Sequence, residues 1–190
     1  MKHLFLPLAV CGLLSACSTV DGNFDNKGFR LPEEQQTQDF QNPPAGKSRI
    51  YAFRNNSKKG AFIRYFISGH YKFNENEPFA NIDDTFFVLR SKPGAFNFVD
   101  IERLEPITLY SKTEVSATLD FVPEADQIYC LKSAITYGAW IGRPKFIPLS
   151  EKECKRAISA IKGKERRYQE QQKYKQQFQE NIEKKAQKQQ

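Results

Sequence analysis

Between Arg49 and Leu149 the chain never runs far without a turn signal, and this punctuation constrains the fold more than any other feature. The intervening runs are RIYAFR, AFIRYFI, HYKF, TFFVLR, AFNFVDIE, ITLYSK, EVSATLDFV, QIYCLKSAI and KFIPL. Each is short and rich in aromatic and β-branched residues, which suit a pleated, half-buried surface. In RIYAFR, Ile50, Ala52 and Arg54 fall on one side and Tyr51 and Phe53 on the other. Phe96 and Phe98 alternate with Asn97 in the same way. Ser68-Gly69 reads as a hairpin turn between two of the runs. In Lys92-Pro93-Gly94, Pro presets φ at one corner and Gly accepts a positive φ at the next. The expected fold is mostly β, an antiparallel β-sandwich of about seven to nine short strands. The sixteen Phe and eight Tyr of the chain supply bulky core material.

A helix signal appears only after the strands. Ser150 followed by Glu153 fits the S-x-x-E capping box, and Ile158 and Ile161 give the segment one apolar edge. Beyond Gly163 the chain reads ERRYQEQQKYKQQFQENIEKKAQKQQ, dominated by Gln, Lys and Glu. Tyr174, Phe178, Ile182 and Ala186 step by four, a stripe expected to be too thin to bury much. The charge of the chain sits here. Residues 18–150 carry 16 basic and 16 acidic side chains, whereas residues 151–190 carry 12 basic and 6 acidic. A basic, solvated helix or disordered tail over 163–190 is expected, suited to meeting lipid headgroups, peptidoglycan or an acidic partner.

The N-terminus has a different design. Lys2 precedes an apolar run from Leu4 to Leu14 broken by Pro7 and Gly12. A run of about ten residues falls short of the roughly 20 that a membrane-spanning helix needs, and the pattern is that of a secretion signal. Leu14-Ser15-Ala16-Cys17 resembles the lipobox of bacterial lipoproteins. The resemblance implies that the signal, residues 1–16, is removed and that Cys17 is acylated on its thiol and on its new amine. More than one acyl chain, at about 0.8 kcal/mol per buried methylene, gives a firm anchor. Ser18, where an Asp would resemble an inner-membrane retention signal, implies sorting to the outer membrane, facing the periplasm. Residues 17–48, polar and rich in Gly, Pro, Asn and Gln, read as a lipidated cysteine followed by a flexible tether. Thirty such residues span on the order of 30 Å.

With Cys11 lost with the signal and Cys17 lipidated, Cys130 and Cys154 remain as an even pair in an oxidising compartment. A disulfide between them is expected. It would close a loop of about 25 residues, add roughly 3 kcal/mol, and staple the helix to the strands.

The middle of the chain carries a second likeness. Residues 43–54, PPAGKSRIYAFR, with the pattern P-x-G-K-x-x-I-Y-x-F-R, resemble the opening of a domain of unknown function found in many proteobacterial lipoproteins. Lys92-Pro93-Gly94 resembles that family's Pro-Gly turn, EADQIYCLKSA its acidic strand entry, and Gly142-Arg143-Pro144 with KFIPLS its last strand. The likeness covers residues 43–157. Asp126 stands where a Gly is usual and Cys130 where a Tyr is usual. The resemblance implies a small β-sandwich on a lipid anchor and no established activity.

No catalytic constellation emerges. After processing one histidine remains, His70, expected at a surface turn beside Gly69. Asp83-Asp84 reads as a solvated turn, since adjacent side chains point apart. One His and two distant Cys make no metal set, and neither a G-x-S-x-G elbow nor an H-E-x-x-H motif is present. No cofactor is expected. Trp140, the only tryptophan, lies in a loop framed by Gly138 and Gly142. Trp140 and Arg143 are the candidate ligand-binding residues, a stacking platform beside a cation. The expected organisation is a signal peptide (1–16), lipidated tether (17–48), β-sandwich with closing helix (49–162) and basic tail (163–190). The expected role is that of a non-catalytic binding or structural module. It would be attached to the membrane by its N-terminal lipid and would meet peptidoglycan or an envelope protein, not nucleic acid. The alternative is an accessory subunit of an envelope secretion or transport complex.

Overall fold

The computed structural model describes residues 40–188 apart from 59, 80, 139–141 and 162. Eight strands form two four-stranded sheets. They are β1 (Ser48–Arg54), β2 (Tyr65–His70), β3 (Thr85–Ser91), β4 (Phe96–Ile101), β5 (Ile107–Lys112), β6 (Ser116–Phe121), β7 (Ile128–Thr136) and β8 (Arg143–Pro148). One sheet has the order β4-β1-β7-β8 and the other β3-β2-β5-β6. The mostly β sandwich read from the sequence is therefore present, with one difference. Strand β1 pairs β7 in parallel, Arg49 facing Ile128, while every other pair is antiparallel. A parallel neighbour cannot be reached by a hairpin, so the whole second sheet is wound between these two strands.

Alternation decides which face of β1 meets which layer. Ile50 and Ala52 face the second sheet, in a core with Ile67, Leu89, Leu109 and Leu131. Tyr51 and Phe53 point the other way, yet they too are buried, against Phe40, Cys130, Cys154, Ile158 and Ile161. The first sheet is thus covered on both faces. Its outer cover is α1 (Glu151–Ser159), which begins with the predicted capping box. Ser150 Oγ accepts from Glu153 N–H, and the Glu153 carboxylate accepts from Ser150 N–H. Cys130 and Cys154 form a disulfide with Cα atoms 6.0 Å apart, fixing α1 to the middle strand β7. Titrating thiols in the denatured, unreduced domain should find neither of these two free; two titratable thiols would show that the bridge does not form.

The Lys92-Pro93-Gly94 turn joins β3 to β4 across the sandwich, with Gly94 at φ 69°. Ser68-Gly69 is no turn: both residues lie inside β2. Gly69 is small for a packing reason. A Cβ there would meet the Phe86 ring at 2.1 Å, so the bare backbone lets that aromatic lie across the strand. Asp126 occupies the left-handed region, φ 61°, at the position where the resembled family has Gly. Its carboxylate repays part of the strain by accepting from Gly46 N–H at 3.0 Å.

The segment after Gly163 departs most from the sequence reading. It forms α2 (Lys164–Gln187), and this helix docks on the β3 and β4 edges. Phe178 and Ile182 are buried against Phe87, with Phe79, Ile82 and Tyr174 around them. Gln171 is fully buried. Its Oε1 accepts from Arg90 N–H at 2.8 Å and its Nε2 donates to Arg90 C=O at 3.3 Å. One side-chain amide thus offers edge strand β3 the donor and acceptor that a neighbouring strand would. Val88 is the extra residue of a bulge in β3, where Ile67 faces Leu89 and Ser68 faces Phe87. Asn97 donates to the Val88 carbonyl at 2.7 Å, and Gln172 donates to Asn97 Oδ1 at 3.0 Å. The stripe is as thin as the sequence suggested. It buries because pre-formed aromatic faces receive it and glutamines bond the edge. At the far edge, β8 carries Pro144 and Pro148, which cannot donate to another strand.

Candidate functional site

Three loops meet at one end of the sandwich: 55–64 between β1 and β2, 113–115 between β5 and β6, and 137–142 between β7 and β8. Close contacts weld them. Thr113 Oγ1 donates to the Gly142 carbonyl at 2.6 Å. A Cβ at Gly142, whose φ is 103°, would lie 3.0 Å from Ile63 Cδ1, and one at Gly138 would lie 2.2 Å from Glu114 Oε1. The two glycines noted in the sequence are therefore required where the loops approach one another. Arg54, on the inward face of β1, reaches under this end. It is buried and donates to the carbonyls of Ile63 at 2.7 Å and Gly60 at 2.6 Å, with its guanidinium near the Tyr65 ring. Burial lowers its pKa, and the two carbonyls pin loop 55–64 to the sheet.

What this end shows to solvent is apolar and basic. Phe62 is 98% exposed, Tyr137 85% and Val115 37%. A groove of about 660 Å³ runs between Lys58, Phe62, Arg64 and Lys112. Arg143, a candidate ligand residue, opens β8 at the rim. Its Nε donates to Glu114 Oε1 at 3.2 Å and half of its side chain faces solvent. Trp140, the other candidate, lies outside the described residues, as do Cys17 and Ser18. Phe62 and Tyr137 were not singled out in the sequence, because one exposed aromatic among sixteen Phe and eight Tyr carries no periodic mark.

Two other places have chemical character. A cleft of about 480 Å³ lies between β4 and the start of α2, walled by Tyr51, Phe98 and Tyr168. Its cation is already committed: Arg49 makes a bidentate pair with Asp100 at 2.6 and 2.9 Å and lies over the Phe98 ring. Burial opposes the charge on Arg49, and the bonds from Asp100 and Tyr51 outweigh it, so its pKa is raised.

The second is His70, which is not at a surface turn. It ends β2 and is 2% exposed. Its Nε2 lies 2.7 Å from Ser68 Oγ and its Nδ1 3.1 Å from Thr85 Oγ1, with Phe73, Phe79 and Tyr110 around the ring. A Ser–His contact is the geometry of an activated nucleophile. Here Ser68 is also 2% exposed, and the aromatic rings wall the pair off from solvent. The sequence concealed this, since two of the covering rings come from the separate segment 71–84 and the third from β5. Asp84, read as part of a solvated turn, is buried too. It pairs with Arg103 at 2.7 Å and Lys72 at 3.2 Å, which lowers its pKa, while Asp83 stays exposed. Among the described residues no His, Cys, Asp or Glu cluster could hold a metal ion, and no helix is long and apolar enough to cross a membrane.

No family model, curated protein or solved structure matches this chain. Any reading of its role rests on its own residues and on the geometry above.

Proposed function

We propose that this chain is a lipid-anchored lipoprotein of the bacterial outer membrane, facing the periplasm. Its sandwich acts there as a non-catalytic binding or structural module. The observation that carries the reading is the Cys130–Cys154 disulfide at the centre of the fold. Such bridges form and persist in oxidising compartments and are rare in the cytosol. It agrees with the signal-like segment that ends in Leu14-Ser15-Ala16-Cys17. The module's contact surface is the loop end that presents Phe62, Tyr137 and Arg143, held rigid by Arg54, Gly138 and Gly142.

The test is metabolic labelling with a fatty-acid probe in a bacterial host. The wild-type chain should be labelled and recovered with outer membranes. Cys17→Ser should be unlabelled and retain its first 16 residues. A wild-type chain that stays unlabelled, or a Cys17→Ser chain that is processed and membrane-bound as before, overturns the anchor.

A further inference from the structure

The strands sort charge between the two ends of the sandwich. At the end built from loops 55–64, 113–115 and 137–142, the exposed cations among the described residues are Lys58, Arg64, Lys112, Arg143 and Lys145, against Glu114, which pairs with Arg143, and Glu75, which reaches back to accept from Ser116 Oγ at 3.0 Å. At the other end, segments 71–84, 102–106 and 122–127 hold seven further carboxylates against Lys47, Lys72 and Arg103. The sequence concealed this, because residues 18–150 are neutral in sum. The cationic end is also the end whose aromatic tips stand in water, Phe62 at 98% and Tyr137 at 85% exposure.

We propose that this end docks on an anionic phospholipid bilayer surface. Phe62 and Tyr137 enter the headgroup boundary, and the five cations face lipid phosphates. A protruding apolar tip ringed by cations matches a surface whose interior is apolar and whose face is negative. The inference rests on the envelope placement proposed above, and it adds a second contact to the lipid on Cys17. The geometry permits both contacts at once. The chain first packs on the sandwich at Phe40, whose ring stacks on Tyr51 midway along the seven-residue strand β1. At about 3.3 Å per residue the basic tip lies roughly 20 Å beyond that point, within reach of a tether of about twenty residues. A membrane of negative charge repels the acidic end and draws the basic one, so the domain lies tip-down.

The test uses residues 18–190, which hold every described element and lack the acylated cysteine, so the tip is read without the anchor. Co-sedimentation is compared on vesicles of phosphatidylcholine and of phosphatidylcholine mixed with phosphatidylglycerol. At low salt the protein should partition at least about ten-fold more strongly to the anionic vesicles and be released at high salt, as each cation near such a surface contributes about five-fold. Phe62→Ser, and the pair Lys58→Glu with Arg64→Glu, should each lower that partition about five-fold or more without changing the unfolding midpoint. Equal partition to both vesicle types, or variants that bind as the wild type does, would overturn the inference. So would retention on peptidoglycan sacculi without vesicle binding. Fatty-acid labelling of Cys17 in cells is an independent readout, so loss of the tip contact and loss of the anchor are told apart.

Discussion

Replacing Phe178 by Ala should destabilise the whole domain by about 3 to 5 kcal/mol, the usual cost of removing a buried phenyl ring. Phe178 is 8% exposed and lies among the rings of Phe66, Phe79 and Phe87 at centroid distances of 5.8, 6.0 and 5.8 Å. It holds the C-terminal half of α2 on the second sheet, while Gln171 bonds the β3 backbone and Tyr168 stacks on Phe98 at 4.7 Å. Stopping the chain at Gly163 should therefore do more than remove charge. It would strip the cover from Phe66 and Phe87 and open the β3 edge, and the shortened protein should aggregate. Urea unfolding of the Phe178→Ala domain reads the first effect and light scattering of the truncation the second. A loss below about 1 kcal/mol would mean that α2 does not dock as described. Any assay of the basic segment by deletion is compromised for the same reason; charge substitutions such as Lys173→Gln and Lys184→Gln, both on exposed positions, are the sound alternative.

Acid should unfold this domain at a milder pH than its carboxylates alone would set. Burial pushes the His70 pKa down to about 4 from an ordinary 6.5. In the folded state the imidazole stays neutral, whereas the unfolded chain takes up a proton below about pH 6.5. The unfolded state therefore binds more protons across this window, and stability falls as pH falls. The contribution is complete above about pH 6.5 and lost as pH drops through about 4, a total of about 3 kcal/mol. About two-thirds of it should be gone by about pH 5. Asp84, whose pKa is lowered by Arg103 and Lys72, withdraws its own support at more acid pH still. Unfolding free energies measured between about pH 8 and pH 4 for the wild type and for His70→Gln test this. The variant's curve should be flatter by about 3 kcal/mol over that range; parallel curves would mean that His70 titrates normally.

The sequence made some of these features plain and hid others, for physical reasons. Strand-forming residues alternate with turn residues because a half-buried sheet needs both, so eight of the nine runs, the Pro-Gly turn and the Ser150–Glu153 cap could be read directly, whereas HYKF forms no strand of its own, since β2 ends at His70. The Cys130–Cys154 pair followed from counting cysteines. Gly69 misled because glycine has two uses. It looked like a turn residue, and in the structure it makes room for Phe86. His70 misled with it, since two of its covering rings come from residues 71–84, folded back over the sheet. The weight of α2 was hidden because glutamine counts as polar in any periodicity, yet Gln171 acts as a piece of strand. The loop end was half visible. Its glycines and Arg143 were named, but exposure of Phe62 and Tyr137 depends on three loops converging, which no local pattern records.

The parallel pairing of β1 with β7 has a consequence for when this protein can become itself. Arg49 finds Ile128 only after the chain between them has been made, and Cys130 finds Cys154 later still. Contacts so distant in sequence form slowly. A nascent chain of this design stays pliable until nearly all of it exists. That is the state a polypeptide needs in order to pass through a membrane pore, and it suits the export that the proposed placement requires.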